Sequence, residues 1–474
     1  MTLSRTPLRG RILSSAISVL SAAAVATVAA IAPANAGNGI RDAEMEKVLK
    51  EYGEPIFAAA GLDPSAIHIY IINDPSINAF VAGGQNIFMN TGTIMELDTP
   101  SQLKGIMAHE TGHIAGGHLA RGPEAMGKAE VPMIISMIAG IAAIAAGAPD
   151  IGMALMVGAQ GVAQRELLAF SRQQESSADQ AGVKYLTATG QSSNGMVEVF
   201  SKFADQEILS GARQDPFVRS HPLSRDRMAA LEALVAASPF RDKTDSKADL
   251  ETYALIRAKL RGFVDSPEVT LRHYPMSDRS QPARYARAVA FFKGADLETA
   301  LSQINSLIAE RPNYAYFWEL KGQILVESAK PLEGVPAYRK AVELAPDEPL
   351  LRASLGAALV ATEDPKLLAE AKANLKASIN MEPDNAMAWY YLASVYGAEG
   401  NTGMAALATA ERNFSVKDMG GAMLFARRAQ KELKQGTQDW QRAQDILAVS
   451  QAQMPRERRS RFAPHVTFTG TTPN

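Results

Sequence analysis

The stretch "MAHETGHIAGGH" (Met107–His118) places three of the chain's seven histidines within ten residues. Its meaning depends on whether His109-Glu110-Thr111-Gly112-His113 lies on a helix, and the residues before it supply a start signal. Thr99 is a candidate N-cap, Pro100 suits the first helical position, and Gln102 completes a capping box with Thr99. Leu103, Ile106, Met107 and Ile114 then form an apolar face. On that helix His109 and His113 stand one turn apart on the same side, with side chains about 5–6 Å from each other. This spacing suits one cation at about 2.0–2.1 Å from each imidazole. Glu110, rotated by about 100°, lies beside such a cation and can take a proton from a water there. Imidazole with carboxylate and an open position points to zinc, one ion per chain.

His118 falls one place before the position at which a third histidine ligand follows this motif in some zinc enzymes. If the helix continues, it points roughly 180° from His109. It is read as a non-ligand, either polar packing or surface, although Gly116 and Gly117 could end the helix and change that geometry. The third ligand must come from elsewhere. "SRQQESSADQAG" (Ser171–Gly182) offers Glu175 and Asp179 one helical turn apart: Glu175 as the ligand and Asp179 as the group that holds a histidine's other ring nitrogen. The bland alternative is an ordinary exposed acidic pair. Glu166 competes as a ligand but has no Asp one turn later.

The rest of the chain frames this motif. At 474 residues, with 48 basic and 50 acidic side chains, it is long enough for two or three packed domains. A net charge of -2 without a basic block excludes nucleic-acid binding as an expectation. Arg5, Arg9 and Arg11, then an apolar run from Ile12 to Ala32 and Ala34-Asn35-Ala36, read as a cleavable export signal over residues 1–36; an uncleaved anchor helix is the alternative. The absence of cysteine fits an oxidising compartment without proving one.

"IHIYIIND" (Ile67–Asp74) and "NAFVAGGQNIFMNTG" (Asn78–Gly92) read as strands with a hairpin. The polar "SPFRDKTDSKADL" (Ser238–Leu250) ends a first domain, 37–240. A short helix near Tyr253–Phe263 and a Pro- and Arg-containing stretch form a connector, 241–280. Beyond it Pro312, Pro346 and Pro383 recur at spacings of 346 − 312 = 34 and 383 − 346 = 37, each followed by an aromatic or long residue and then a small one. The first spacing is the tetratricopeptide period; the second implies a longer turn around "TEDPK" (Thr362–Lys366). Residues 281–455 therefore resemble a tetratricopeptide-repeat array, an unrelated helical bundle being the alternative. Such arrays present a surface to peptides or partner proteins. The Arg-rich, then Pro/Thr-rich segment 456–474 is expected to be a disordered tail.

Two apolar stretches, Val131–Ala148 and Ile151–Gln164, are rich in Ala and Gly and lack a strong basic flank. A buried helical hairpin over the site, or one that touches a membrane surface, fits them better than a membrane span.

His-Glu-x-x-His, then Glu175-x-x-x-Asp179, then "RSHPLSRDR" (Arg219–Arg227), in that order, resemble the HtpX-type zinc metallopeptidases of family M48. With export and a repeat array the chain is similar to that family's periplasmic BepA branch. The resemblance implies a mainly α architecture: an α+β zincin-type metallopeptidase domain with a small β-sheet, followed by an α-helical tetratricopeptide-repeat solenoid. It implies His109, His113 and Glu175 as zinc ligands, Glu110 as general base, a near-metal role for His221, and an active-site or structural charge role for Arg227. His221 could polarise a developing oxyanion, block the fourth position on zinc, or simply pack. It also implies protein or peptide substrates among misassembled envelope proteins, with outer-membrane assembly machinery as a partner of the repeats and the periplasm as location. A repeat-based chaperone or adaptor with a latent protease domain is the rival reading.

Overall fold

The computed structural model describes residues 39–118, 171–203 and 221–453. The expected export signal, the apolar pair at 131–164, Glu166 and the tail 456–474 lie outside these residues. Among the described residues no helix is long and apolar enough to cross a membrane. The chain divides into two compact units: Asn38–Lys321 with Lys340–Leu351, and Gly322–Arg339 with the chain from Arg352 onward.

The first unit opens with β1 (Gly39–Ile40) and α1 (Ala43–Ala59). Asp42 caps α1 by accepting from the Met45 amide, and Met45, Val48, Leu49, Tyr52 and Ile56 recur at helical spacing as its buried stripe. Three further strands follow: β2 (His68–Ile72), β3 (Ala79–Ala82) and β4 (Asn86–Asn90), within the two segments read as strands. The sheet order is β1-β2-β4-β3, with β2 parallel to β4 and β3 antiparallel to it, so β3 is an edge. Period-2 alternation sorts the side chains. Ile71, Ala79, Val81, Ile87 and Met89 are buried on one face. Tyr70, Phe88 and Phe80 stack across the other, with adjacent ring centroids 5.2 Å apart.

After the short α2 (Thr91–Glu96), the motif helix α3 runs Pro100–Ala115. The start signal is confirmed with one change. The Thr99 hydroxyl accepts from the Gln102 backbone amide, but the Gln102 side-chain Oε1 accepts from the backbone amide of Asp98 rather than Thr99, at 2.9 Å. Leu103, Ile106 and Met107 are fully buried, so the helix is anchored in the main core along its length. Helix α4 (described over 171–188), α5 (Asn194–Ser201) and α6 (Arg225–Ala236) complete the neighbourhood.

The core does not stop at residue 240. Helix α7 covers Lys247–Val264, starting before the expected Tyr253 because Ser246 caps it. Tyr253, Ile256 and Leu260 join the same hydrophobic cluster as α1, the sheet and α3. Each such side chain contributes roughly 1.5–3 kcal/mol on burial. Within the stretch expected as connector, Ser266 caps and Pro267 opens a further helix, α8 (Pro267–His273). Still in this unit, Lys259 is buried against Asp42 at 2.7 Å, and against Glu44 and Glu319 at 3.3 Å each. Tyr285 and Tyr314 donate to Glu44.

The remaining helices are α9 (Gln281–Lys293), α10 (Leu297–Glu310), α11 (Ala315–Glu327), α12 (Pro331–Leu344), α13 (Pro349–Ala361), α14 (Leu368–Met381), α15 (Ala386–Ala398), α16 (Thr402–Ser415), α17 (Met419–Glu432) and α18 (Gln438–Gln453). The first helices of successive pairs start at the expected intervals, 349 − 315 = 34 and 386 − 349 = 37. The longer interval contains a 3-10 turn at Pro365–Leu367, capped by Asp364, which begins within the residues expected to form a longer turn, Thr362–Lys366. In the second unit Gly322 lies against the Tyr338 ring and Gly356 against Leu375, at the small-residue positions of the repeat. This is an α-helical repeat region.

Candidate active site

Helix α3 carries His109 and Glu110 into the interior, where they are 0% and 1% exposed, with His113 one turn on. The two rings are 4.8 Å apart between centroids, and their Nε2 atoms 3.1 Å apart. They converge as the sequence spacing requires.

Helix α4 delivers the carboxylates. Glu175 Oε2 is 3.3 Å from His109 Nε2, and Oε1 is 3.4 Å from His113 Nε2. One turn later Asp179 Oδ1 meets His109 Nδ1 at 2.9 Å. Both acids are buried, so the exposed-pair alternative fails. The two helices come this close because of Gly112, the fourth residue of the motif: a β-carbon there would stand 2.8 Å from both Cα and the carbonyl oxygen of Ala178. Sequence reading passed over that glycine, although its place inside the motif was the available signal.

His221 enters from the turn before Pro222. Its Nδ1 lies 3.2 Å from His109 Nε2 and 3.2 Å from Glu175 Oε2. Its Nε2 lies 3.1 Å from the carbonyl oxygen of Ala79 on the edge strand and 3.3 Å from Glu110 Oε1. Arg227, in the first turn of α6, donates through Nε and Nη2 to the two oxygens of Asp179 at 2.6 and 2.8 Å. Its Nη1 donates to the Pro222 carbonyl and lies 3.0 Å from Glu175 Oε2. Arg227 thus ties both carboxylates to the turn that presents His221. Phe200 of α5 closes the back, edge-on to His109 and 5.0 Å beneath the Arg227 guanidinium.

The electrostatics follow from burial and these contacts. Burial alone would lower His109, but its bonds to Asp179 and Glu175 outweigh that and lift it to about 9. Burial and the neighbouring His109 push His113 down to about 2; two imidazoles this close do not both carry a positive charge. Burial works against ionisation of Glu175 and Asp179, yet hydrogen bonds from His109 and His221 hold Glu175 low, and those from Arg227 and His109 hold Asp179 low. Glu110 is the opposite case. Neither of its buried oxygens has a hydrogen-bond partner, and desolvation raises its pKa. An unsatisfied buried carboxylate requires an explanation, and a proton-transfer role provides one.

The donor set fits a metal. His109, His113, Glu175 and His221 each offer one atom, all within 4.8 Å of one another. Ligands at about 2.0–2.1 Å on a tetrahedral ion stand roughly 3.3 Å apart along its edges. The separations between His109 Nε2 and the nearest donors of His113, Glu175 and His221 are 3.1, 3.3 and 3.2 Å. His118 is not among the four: it is buried against the outer side of His113.

The site's residues, 109–227, lie within a segment that matches a known family. Residues 42–235 match the family described as Peptidase family M48. The beta-barrel assembly-enhancing protease of Escherichia coli is 24% identical over 433 residues, 90% of this chain and 86% of that protein. The protein of the same name from Yersinia pestis is 24% identical over 333 residues, 69% of this chain and 67% of its own length. Among solved structures, YrrB, a TPR protein with an unusual peptide-binding site, covers 37% of this chain and 91% of its own at 21% identity and a TM-score of 0.30.

Proposed function

From the premise that residues 42–235 are a family M48 peptidase domain and the chain is a metalloendopeptidase, we propose that its metal is a single zinc ion held by His109, His113 and Glu175. The carrying observation is the set of donor separations near 3.3 Å, with the Glu110 carboxylate, buried and without a hydrogen bond, beside it. Zinc bound there supplies a Lewis acid that polarises a scissile peptide carbonyl and acidifies water. Glu110 takes the proton of the attacking water on a carboxylate oxygen and passes it to the departing amine. Its pKa, raised by desolvation, suits a group that must both accept and return a proton. Asp179 holds His109 through Nδ1, and Arg227 holds Asp179.

Counting His221, four protein atoms surround the position, which is the closed pattern of structural zinc sites rather than the open one of catalysts. This supports a resting state in which His221 occupies the place that substrate and water need. The turn bearing it would then have to move before turnover, and the Ala79 carbonyl on the edge strand, one of its partners, would become available to an extended substrate.

Residues 1–36 direct export to the periplasm, 37–240 carry the chemistry, 241–280 pack α7 into that domain's core and lead on from it, and the repeats of 281–455 dock clients or a partner. The relatives named as beta-barrel assembly-enhancing proteases favour envelope proteins as clients and outer-membrane assembly machinery as partner.

Glu110→Gln provides the test. The purified variant is expected to bind zinc but lose casein hydrolysis; hydrolysis at the parent's rate would refute the catalytic assignment and favour a chaperone or adaptor.

A further inference from the structure

We propose that His118 is a positioning residue for His113: it fixes that ligand in the one tautomer and ring orientation whose Nε2 is bare and aimed at the metal. The inference rests on the zinc-site reading above and extends it to a residue outside the ligand set.

The sequence alone read His118 as a non-ligand, because a continuing helix would point it roughly 180° from His109, with Gly116 and Gly117 able to end that helix. The chain does otherwise. Helix α3 ends at Ala115, and Gly117 adopts φ +62°, the left-handed conformation that terminates helices. The chain therefore folds back, and the His118 ring returns onto His113 edge-on, with centroids 4.9 Å apart and the two Nδ1 atoms at 2.9 Å. The reversal is secured from the other helix: Gln174 Nε2 donates to the His118 carbonyl at 3.2 Å. Gln174 is the residue before Glu175, so the element that supplies the carboxylate also pins the turn. At 8% exposure His118 is buried.

The chemistry assigns each proton. His113 Nε2 faces His109 Nε2 and Glu175 Oε1, so a neutral His113 that ligates through Nε2 carries its proton on Nδ1. That proton points at His118 Nδ1, which must accept it, and His118 then carries its own proton on Nε2. Both ligand histidines are thereby held from behind, His109 by the anionic Asp179 and His113 by a neutral imidazole. A neutral partner orients His113 without adding a further negative charge to a buried site that already holds three carboxylates.

His118→Leu keeps bulk and removes the acceptor; His118→Asn places an amide oxygen where Nδ1 stood. Zinc affinity is read by competition with a chromophoric chelator, with melting of the metal-free proteins as the folding control. The expected result is ~10–100-fold weaker zinc binding in the leucine variant and near-parent binding in the asparagine variant. Parent-like affinity in His118→Leu, or equal weakening in both variants, overturns the proposal. A parent protein that binds no zinc would instead overturn the metal reading, and this inference with it. Long-range proton–nitrogen spectra of the zinc-loaded parent decide the matter even where the leucine variant does not fold. They are to show the His118 proton on Nε2, and a proton on its Nδ1 overturns the assignment.

Discussion

Replacing Gly112 with alanine tests whether the site depends on how closely α3 and α4 approach. The added β-carbon would stand 2.8 Å from two atoms of Ala178, against an ordinary separation of about 3.5–4.0 Å. Both are backbone atoms of a helix, so no rotamer change relieves the clash, and the helices must part by roughly 0.7–1 Å. Overpacking of this kind costs roughly 1–3 kcal/mol, and alanine's better helix propensity offsets about 1 kcal/mol. The net loss is ~0–2 kcal/mol, and the protein stays folded. The site is affected far more than the fold. Glu175 lies three residues before Ala178, His113 directly follows Gly112, and their contact of 3.4 Å widens with the helix separation. A misplacement of about 1 Å predicts roughly 100-fold lower kcat/KM, with weaker zinc binding and a small change in melting temperature. Casein hydrolysis, chelator competition and thermal melting measure the three. Gly397→Ala is the control: its β-carbon meets nothing within 4 Å, so it should stabilise by ~0.4–1 kcal/mol and leave activity unchanged. Parent-like kcat/KM and zinc affinity in Gly112→Ala would refute the dependence on helix spacing.

Asp179→Asn keeps an acceptor for His109 but removes the charge that faces Arg227, and should weaken zinc binding by ~10–100-fold in chelator competition; unchanged affinity would show that the Asp179–Arg227 pair is only structural. Burial lifts the Glu319 carboxyl from 4.5 to about 7 against the pull of Lys259. A folded-state pKa above the unfolded one means that its stabilising contribution is full below pH 4.5 and is lost as pH rises through about 7. Thermal melting across that window should fall with pH less steeply in Glu319→Gln than in the parent, and equal slopes would contradict the assignment.

Much of this was legible in the chain, and the exceptions have physical causes. Thr99, Pro100 and the spacing of His109 and His113 define a local helix, and local rules suffice for it. Glu175 and Asp179 could be nominated as one turn apart, but their arrival at the histidines is a tertiary event that hinges on Gly112. The repeats were readable because a fixed period of Pro and small residues is written in one dimension. His118 was placed on a continued helix, whereas Gly117 reverses the chain; the glycine pair was visible, but the direction of the reversal was not. The extent of α7 was underestimated because its first turns are polar and its N-cap, Ser246, sits inside a segment that reads as a linker. Lys259 gave no signal at all, since its partners Asp42, Glu44 and Glu319 are distant in sequence.

Zinc content of the purified protein, measured beside Glu110→Gln and Glu175→Ala by elemental analysis, tests the account most directly. The parent and Glu110→Gln should each carry one equivalent per chain, and Glu175→Ala should lose it on dialysis. A full equivalent retained by Glu175→Ala would contradict the assignment of that carboxylate as the third ligand.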